Sequence, residues 1–258
     1  MTETVALVGA AGGAGTTRLT VECGGLLART GRDVAIVDVA FATQGLSSYV
    51  EGTIEADVTA LLTGEAELGD VLYDHPADLP GRLALAPAKA PFERLARAQT
   101  AGAAGRLERQ LAAASLSHDV VLVDTPPIDG NQAVAAVNAA DSIAVVTPDT
   151  PRGGDALSTM LGRLADVGQA VDAVLANRAT GFLPAGTPGD AAQSPARPDH
   201  GETVPVPESD VTNPGECPAC LSSEGAFAPA VADAVAAVLD VSPDVESPAE
   251  GRLGDLLG

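Results

Sequence analysis

The sequence predicts an α/β domain with a mostly parallel central sheet and helices on both of its faces. Three observations predict it. Short runs apolar at every position, such as Val120-Val121-Leu122-Val123, recur along the chain. Between them lie stretches with apolar residues at helical spacing, such as Ala156, Leu157, Met160, Leu161 and Leu164. The first strand-like run opens directly into a glycine-rich turn. A strand apolar at successive positions has both faces buried, as happens when crossover helices cover a parallel sheet. Such sheets hold ligands at the carboxyl ends of their strands.

The elements follow in order. Val5 to Val8 is a buried strand, and Thr17 to Ala28 a helix after the Gly-rich turn. Val34 to Val37 is the second strand. Ala56 to Leu62 reads as a short helix and Leu83 to Ala86 as a short strand. Phe92 to Ala114 is largely helical, with Leu107 and Leu111 four apart. After the strand Val120 to Val123 comes a helix around Ala133 to Val137, then the strand Ser142 to Val146, the helix through Leu164, and the strand Val171 to Leu175. Phe227, Ala230, Val231, Ala234, Val235, Val238 and Leu239 fall on one face of a closing helix. Ala179 to Thr203, rich in Pro, Gly and polar residues, reads as a mobile surface loop. Residues 1–240 thus form one domain, and residues 241–258 an acidic, loosely held tail.

Composition narrows the class. Hydrophobic residues make up 46% of the 258, enough for a core, while aromatics are only 2%, so Val, Leu, Ile and Ala must build it. No apolar run reaches the ~18 residues of a membrane helix, and Met1 to Val8 has no signal-peptide pattern. A soluble, cytoplasmic protein is expected. The net charge is -21, and Lys89 is the sole lysine. An apolar-rich chain with this charge is a folded domain with an acidic surface, suited to a salt-loving host in which charge repulsion is screened.

The chemistry concentrates at Val8-Gly9-Ala10-Ala11-Gly12-Gly13-Ala14-Gly15-Thr16-Thr17-Arg18. Glycines at a strand–helix turn let backbone amides and the helix N-terminus face an anion. Against the general phosphate-loop pattern G-x-x-x-x-G-K-[ST], Gly15 and Thr17 match, but Ala10 replaces the first Gly and Thr16 the Lys. Asp38 and Asp124 each end a buried strand, where an Asp either serves a phosphate or magnesium site or caps a neighbouring loop.

Taken in order, these segments resemble the MinD/ParA family of P-loop ATPases, over roughly residues 3 to 240. The loop is similar to that family's variant K-G-G-x-G-K-[ST], keeping Gly12, Gly13, Gly15 and Thr17. Ala11 stands at the family's signature lysine and Thr16 at its phosphate lysine. Val34-Ala35-Ile36-Val37-Asp38 resembles the second strand, and Ala40 stands where the family has a water-orienting acid. Val120 to Pro127 resembles the Walker B strand, and Ala140 to Pro148 the strand after it. Asn177-Arg178 sits at the family's adenine-contacting Asn, and Val204 to Asp210 resembles the late strand and loop beside the base. The resemblance implies nucleotide binding by Gly12, Gly13, Ala14, Gly15, Thr16, Thr17 and Asn177, with magnesium near Thr17, Asp38 and Asp124. With both lysines gone it implies weakened ATP binding and weak or absent hydrolysis. Arg18 or Arg152 could substitute as the cation; otherwise Arg18 is a solvent-facing helix residue, and Asn177 a turn former.

The implied role is a nucleotide switch acting through a protein partner in spatial positioning or partitioning, with a homodimer as one form. Cys217-Pro218-Ala219-Cys220 has zinc or iron–sulfur spacing, which leaves an iron–sulfur carrier as an alternative function, but two cysteines complete a four-ligand site only across a dimer. The alternative is an inert or redox-active loop pair that folding does not need. Cys23 has the spacing of an ordinary core residue. Arg94, Arg97, Arg106 and Arg109 read as a solvated helix face, so DNA binding is not expected. The acidic tail offers no basic face to anionic lipid.

Overall fold

The computed structural model describes residues 2–183, 201–222, 225–239, 241 and 243. Along the chain run β1 (Glu3–Gly9), α1 (Thr16–Arg29), β2 (Asp33–Asp38), α2 (Val58–Thr63), β3 (Tyr73–Asp74), β4 (Arg82–Ala86), α3 (Phe92–Ala98) and α4 (Ala101–Ala114). There follow β5 (Val120–Thr125), α5 (Asn131–Ala139), β6 (Ser142–Pro148), α6 (Pro151–Asp166), β7 (Ala173–Asn177), β8 (Glu202–Val206) and α7 (Phe227–Ala236). The strands form one sheet in the order β3-β4-β2-β5-β1-β6-β7-β8, parallel throughout except for the antiparallel β3–β4 pair.

The pleat divides the core as the continuous apolar runs demand. Val5 and Leu7 of β1 face one way, into a cluster completed by Leu19, Leu26 and Leu27 of α1 and Val231 and Val235 of α7. Ala6 and Val8 face the other way, against Val137 of α5 and Met160 and Leu164 of α6. Val121 and Val123 of β5 meet Leu61 of α2 and Leu107 and Leu111 of α4 on that same second face. Helices therefore cover both faces. Among the described residues no helix is long and apolar enough to cross a membrane.

Several boundaries differ from the sequence reading. The predicted Phe92 to Ala114 helix is two helices, because the Thr100 hydroxyl accepts from the Ala103 amide and caps a fresh start. β3 pairs over two residues only, too few to leave a pattern. β7 begins at Ala173 and runs on through Asn177. Glu202 and Thr203, expected in the loop, belong to β8. The start of that loop is anchored: the Asp149 carboxylate accepts from the amides of Thr180, Gly181 (2.7 Å), Phe182 (3.2 Å) and Leu183 (2.6 Å). Residues 184–200 of the loop, and all but Val241 and Pro243 of the tail, lie outside the described residues.

The arginine face is also not simply solvated. Arg94 pairs with Asp57 at 3.3 Å, Arg97 pairs with Glu65 at 2.8 Å, and Arg106 donates to the Leu62 carbonyl at 3.1 Å. Three of the four arginines thus tie α3 and α4 to α2 and its flanks.

Candidate functional site

β1 lies between β5 and β6; the chain runs from β1 toward the β3 edge, and from β5 it crosses over β1 toward the β8 edge. The crevice at its carboxyl end is the switch point where open α/β sheets take ligands. The turn there adopts left-handed backbone at Gly13 (φ 76°) and Gly15 (φ 91°), which disfavours a side chain at either position. A methyl group on Gly12 or Gly13 would meet nothing within 4 Å, since both face open space. The first turn of α1 has no side-chain cap and no acidic residue, so its free amides carry the positive end of the helix into the same space. The result is a cavity of about 370 Å³, lined by residues 11–18 together with Ala40, Asp124 and Pro127.

Asp38 and Asp124 are register partners on β2 and β5, and both are fully buried. The structure thus brings together the two carboxylates and Thr17, as the sequence predicted. Asp124 Oδ2 accepts from Thr17 Oγ1 at 2.6 Å, while Asp124 Oδ1 has no partner among the described residues. Asp38 accepts from the amides of Ala40 (2.8 Å) and Ala88 (3.3 Å). Burial pushes both acids up, Asp38 to about 6 and Asp124 to about 8, the latter raised further by the Asp38 charge and held back by the Thr17 hydroxyl. An unmatched oxygen on a buried carboxylate is costly, and a hard cation is the partner that oxygen suits. No cluster of three or more His, Cys, Asp or Glu able to hold a metal occurs among the described residues. Magnesium, which keeps waters and takes phosphate oxygens beside one or two carboxylates, fits this donor set better than a metal that needs an all-protein cage.

The Asn177 side chain is bound to the loop and to its own neighbour. Its Nδ2 donates to the Ala14 carbonyl at 2.8 Å and its Oδ1 accepts from the Arg178 amide at 2.9 Å. Both ends of the side-chain amide are engaged by the chain itself, so Asn177 braces the phosphate loop, and a methyl on Gly15 would lie 2.2 Å from Nδ2. It also lines a second cavity of about 240 Å³, walled by Tyr49, Pro207, Ser209 and Phe227, which shares Gly15, Arg18, Tyr49 and Arg178 with the first.

Arg18 is not a free helix residue. It pairs with Glu22 at 2.5 Å and donates to Val211 O (2.9 Å) and Ser209 Oγ (3.3 Å). Arg152 is exposed at the start of α6 and lines neither cavity. Glu22, which the sequence reading passed over, is fully buried and also accepts from the amides of Ala219 (2.9 Å) and Cys220 (2.8 Å). The Cys217–Cys220 segment therefore packs inward on α1, with the two cysteines 4% and 2% exposed. Cys217 Sγ donates to Asn213 O and Cys220 Sγ to Glu22 O. Burial pushes the Cys217 thiol up to about 11 and raises Cys220 further. A cluster shared across a dimer needs thiolates at the surface; these are thiols inside the first core cluster. Cys23 is buried in that cluster, as expected.

A glycine turn at the carboxyl end of a central parallel strand, an uncapped helix start and two strand-end carboxylates define a phosphate-loop NTPase fold. A family model described as an AAA domain (AAA_31) matches residues 2–176. The chain belongs to this family. It is 29% identical over 160 residues to an uncharacterized ATP-binding protein, MJ0547, of Methanocaldococcus jannaschii, covering 61% of this chain and 57% of that one. Its fold is similar to the cell division ATPase MinD of Pyrococcus furiosus, with a TM-score of 0.70, 22% identity and coverage of 92% and 98% of the two chains. It is also similar to the septum site-determining protein MinD of Pyrococcus horikoshii, solved with Mg-ADP (TM-score 0.62, 22% identity, 81% and 82% covered). The chain spans less than three fifths of the length of the curated relatives it matches.

Proposed function

We propose that this protein is a nucleotide switch that binds an adenine nucleotide with magnesium at the Gly12–Thr17 loop and hydrolyses it weakly or not at all. In this reading it acts by binding a protein partner in spatial positioning or partitioning, with a homodimer as one form. The single observation that carries the reading is the contrast within the cavity. Amides, Thr17 and a half-satisfied Asp124 are all in place, while the loop itself carries no cation. Thr17 and Asp124, with Asp38 behind them, would hold magnesium, which when bound neutralises phosphate charge. The similar MinD proteins are a cell division ATPase and a septum site-determining protein with Mg-ADP, and MJ0547 is named as ATP-binding. These support the nucleotide and the positioning role alike.

Weak turnover follows from what the transition state needs. Phosphoryl transfer relies on charges placed where negative charge is carried. Here Ala11 and Thr16 stand in place of both loop lysines, and Ala40, in the wall of the cavity, in place of a water-orienting acid. The test measures ATP binding and phosphate release in parallel, on wild type and Asp124→Asn. Binding with magnesium and turnover at the Asp124→Asn background is the expected result. Turnover near once per minute, lost in Asp124→Asn, would show a working ATPase instead.

A further inference from the structure

We propose that Arg178 supplies the positive charge toward the phosphate chain that the loop lacks, acting from the cavity wall at the end of β7 rather than from the loop itself. This deepens the nucleotide-site reading and rests on it.

Among the described residues, two cations line the first cavity, Arg18 and Arg178. Arg18 is committed to Glu22, Ser209 and Val211. Turning it to a phosphate would leave Glu22, fully buried, without its cation. Arg178 is exposed, and among the described residues its guanidinium makes no ion pair or hydrogen bond. It borders both cavities, so it stands where they join, between the amide turn on one side and the Tyr49–Pro207 wall on the other.

The backbone fixes it there. Arg178 has φ 55°, a left-handed conformation that an arginine rarely adopts. Its amide donates to Asn177 Oδ1, and Asn177 Nδ2 holds the Ala14 carbonyl. One side-chain amide thus ties the base of Arg178 to the phosphate loop, so the arginine and the loop keep a constant relation. The electrostatic need is plain in a chain of net charge -21 whose cavity carries a carboxylate of its own. A guanidinium meets phosphate oxygens in a two-pronged, charge-assisted contact, which an ammonium cannot reproduce. The ligand class is the polyphosphate chain of a nucleoside di- or triphosphate.

The experiment titrates the full chain with inorganic tripolyphosphate, with magnesium–ATP and with adenosine, by calorimetry at fixed KCl. Arg178→Asn removes the charge while tolerating the left-handed backbone; Arg178→Lys keeps the charge without the fork. Arg178→Asn should weaken tripolyphosphate and ATP alike by about 10- to 100-fold, as expected for one charge-assisted contact. Arg178→Lys should recover part of that loss, and adenosine should bind all three proteins equally. Melting temperatures should agree, because the guanidinium has no partner to lose among the described residues. Tripolyphosphate affinity within twofold of wild type in Arg178→Asn would overturn the inference and leave the nucleotide site standing. So would a loss confined to ATP and adenosine, which would place Arg178 against the base. Wild type that binds neither tripolyphosphate nor ATP would instead sink the nucleotide reading itself, and this inference with it.

Discussion

Glu22 and Asp124 are both fully buried carboxylates beside α1, and the chain treats them differently. Glu22 lies midway along the helix. One of its oxygens takes the Arg18 guanidinium and the Ala219 amide, and the other takes the Cys220 amide. Asp124 lies at the open end of the sheet. One of its oxygens takes the Thr17 hydroxyl and the other takes nothing among the described residues. A charge matched on every side holds structure together; a carboxyl left half matched at the mouth of a cavity is a candidate ligand site. The same helix carries both, through Arg18 and Glu22 on one side and Thr17 on the other.

The largest effect expected from this contrast is on stability. Glu22→Ala removes the buried partner of Arg18 and strips two amides of their acceptor, so it should cost about 3–5 kcal/mol. At roughly 2–4 °C per kcal/mol for a chain of this size, a thermal melt should fall by about 10 °C. A change under two degrees would mean that Glu22 is not the tie between α1 and the Cys217–Cys220 segment.

Asp124→Asn should behave in the opposite way. At pH 9 the ligand-free protein should melt no lower than wild type, because a buried charge beside Asp38 has gone. Magnesium-dependent nucleotide affinity should drop at least tenfold, or about 1.4 kcal/mol. Unfolding of the ligand-free variant well below wild type would erase the distinction between the two carboxylates.

The third effect is pH dependence. Asp38 and Asp124 bind protons more tightly folded than unfolded, so their contribution to stability is fully present below the ordinary carboxylate range. It is lost as pH rises through about 6 and about 8. Wild type without ligand should therefore lose melting temperature across that window relative to Asp124→Asn. Magnesium, which needs the ionised forms, should restore more of it at pH 9 than at pH 6. Parallel pH profiles for the two proteins would contradict the shifts.

The smallest effect belongs to Gly12→Ala. Its methyl meets no protein atom within 4 Å, so the melt should move by about a degree or less while tripolyphosphate binding weakens. A large loss of stability would show that Gly12 is a folding glycine and not a ligand-facing one.

Much of the sheet and half of the site were legible in the sequence. Strands with every residue buried, such as Val34 to Val37 and Val120 to Val123, write their environment into each position. The loop glycines, Thr17, Asp38 and Asp124 follow from strand-end placement. Glu22 was not legible. Its spacing from Arg18 is that of an ordinary surface helix pair, and its burial depends on amides 197 and 198 positions away. The Cys217–Cys220 pair was misplaced for the same reason. A motif read locally suggested a loop outside the fold, whereas Pro218 packs so closely on α1 that a methyl on Gly25 would lie 2.2 Å from it. Replacing both cysteines by serine, expected from sequence to be silent, now puts two hydroxyls into a packed core. In the sequence Arg178 is only the neighbour of Asn177, and its place between two cavities is a property of the assembled sheet.

The crossover from β7 to β8 is pinned at both ends by contacts that ignore what lies between. Asp149 gathers the four amides from Thr180 to Leu183, and Gly201 donates to the Val171 carbonyl at 2.8 Å just before the β7–β8 ladder begins at Ala173 and Glu202. Loop entropy grows only slowly with length, so the number of residues spliced between these two anchors has little leverage on the strand register. An insert spliced between Leu183 and Gly201 should accordingly leave the β7–β8 register as it is.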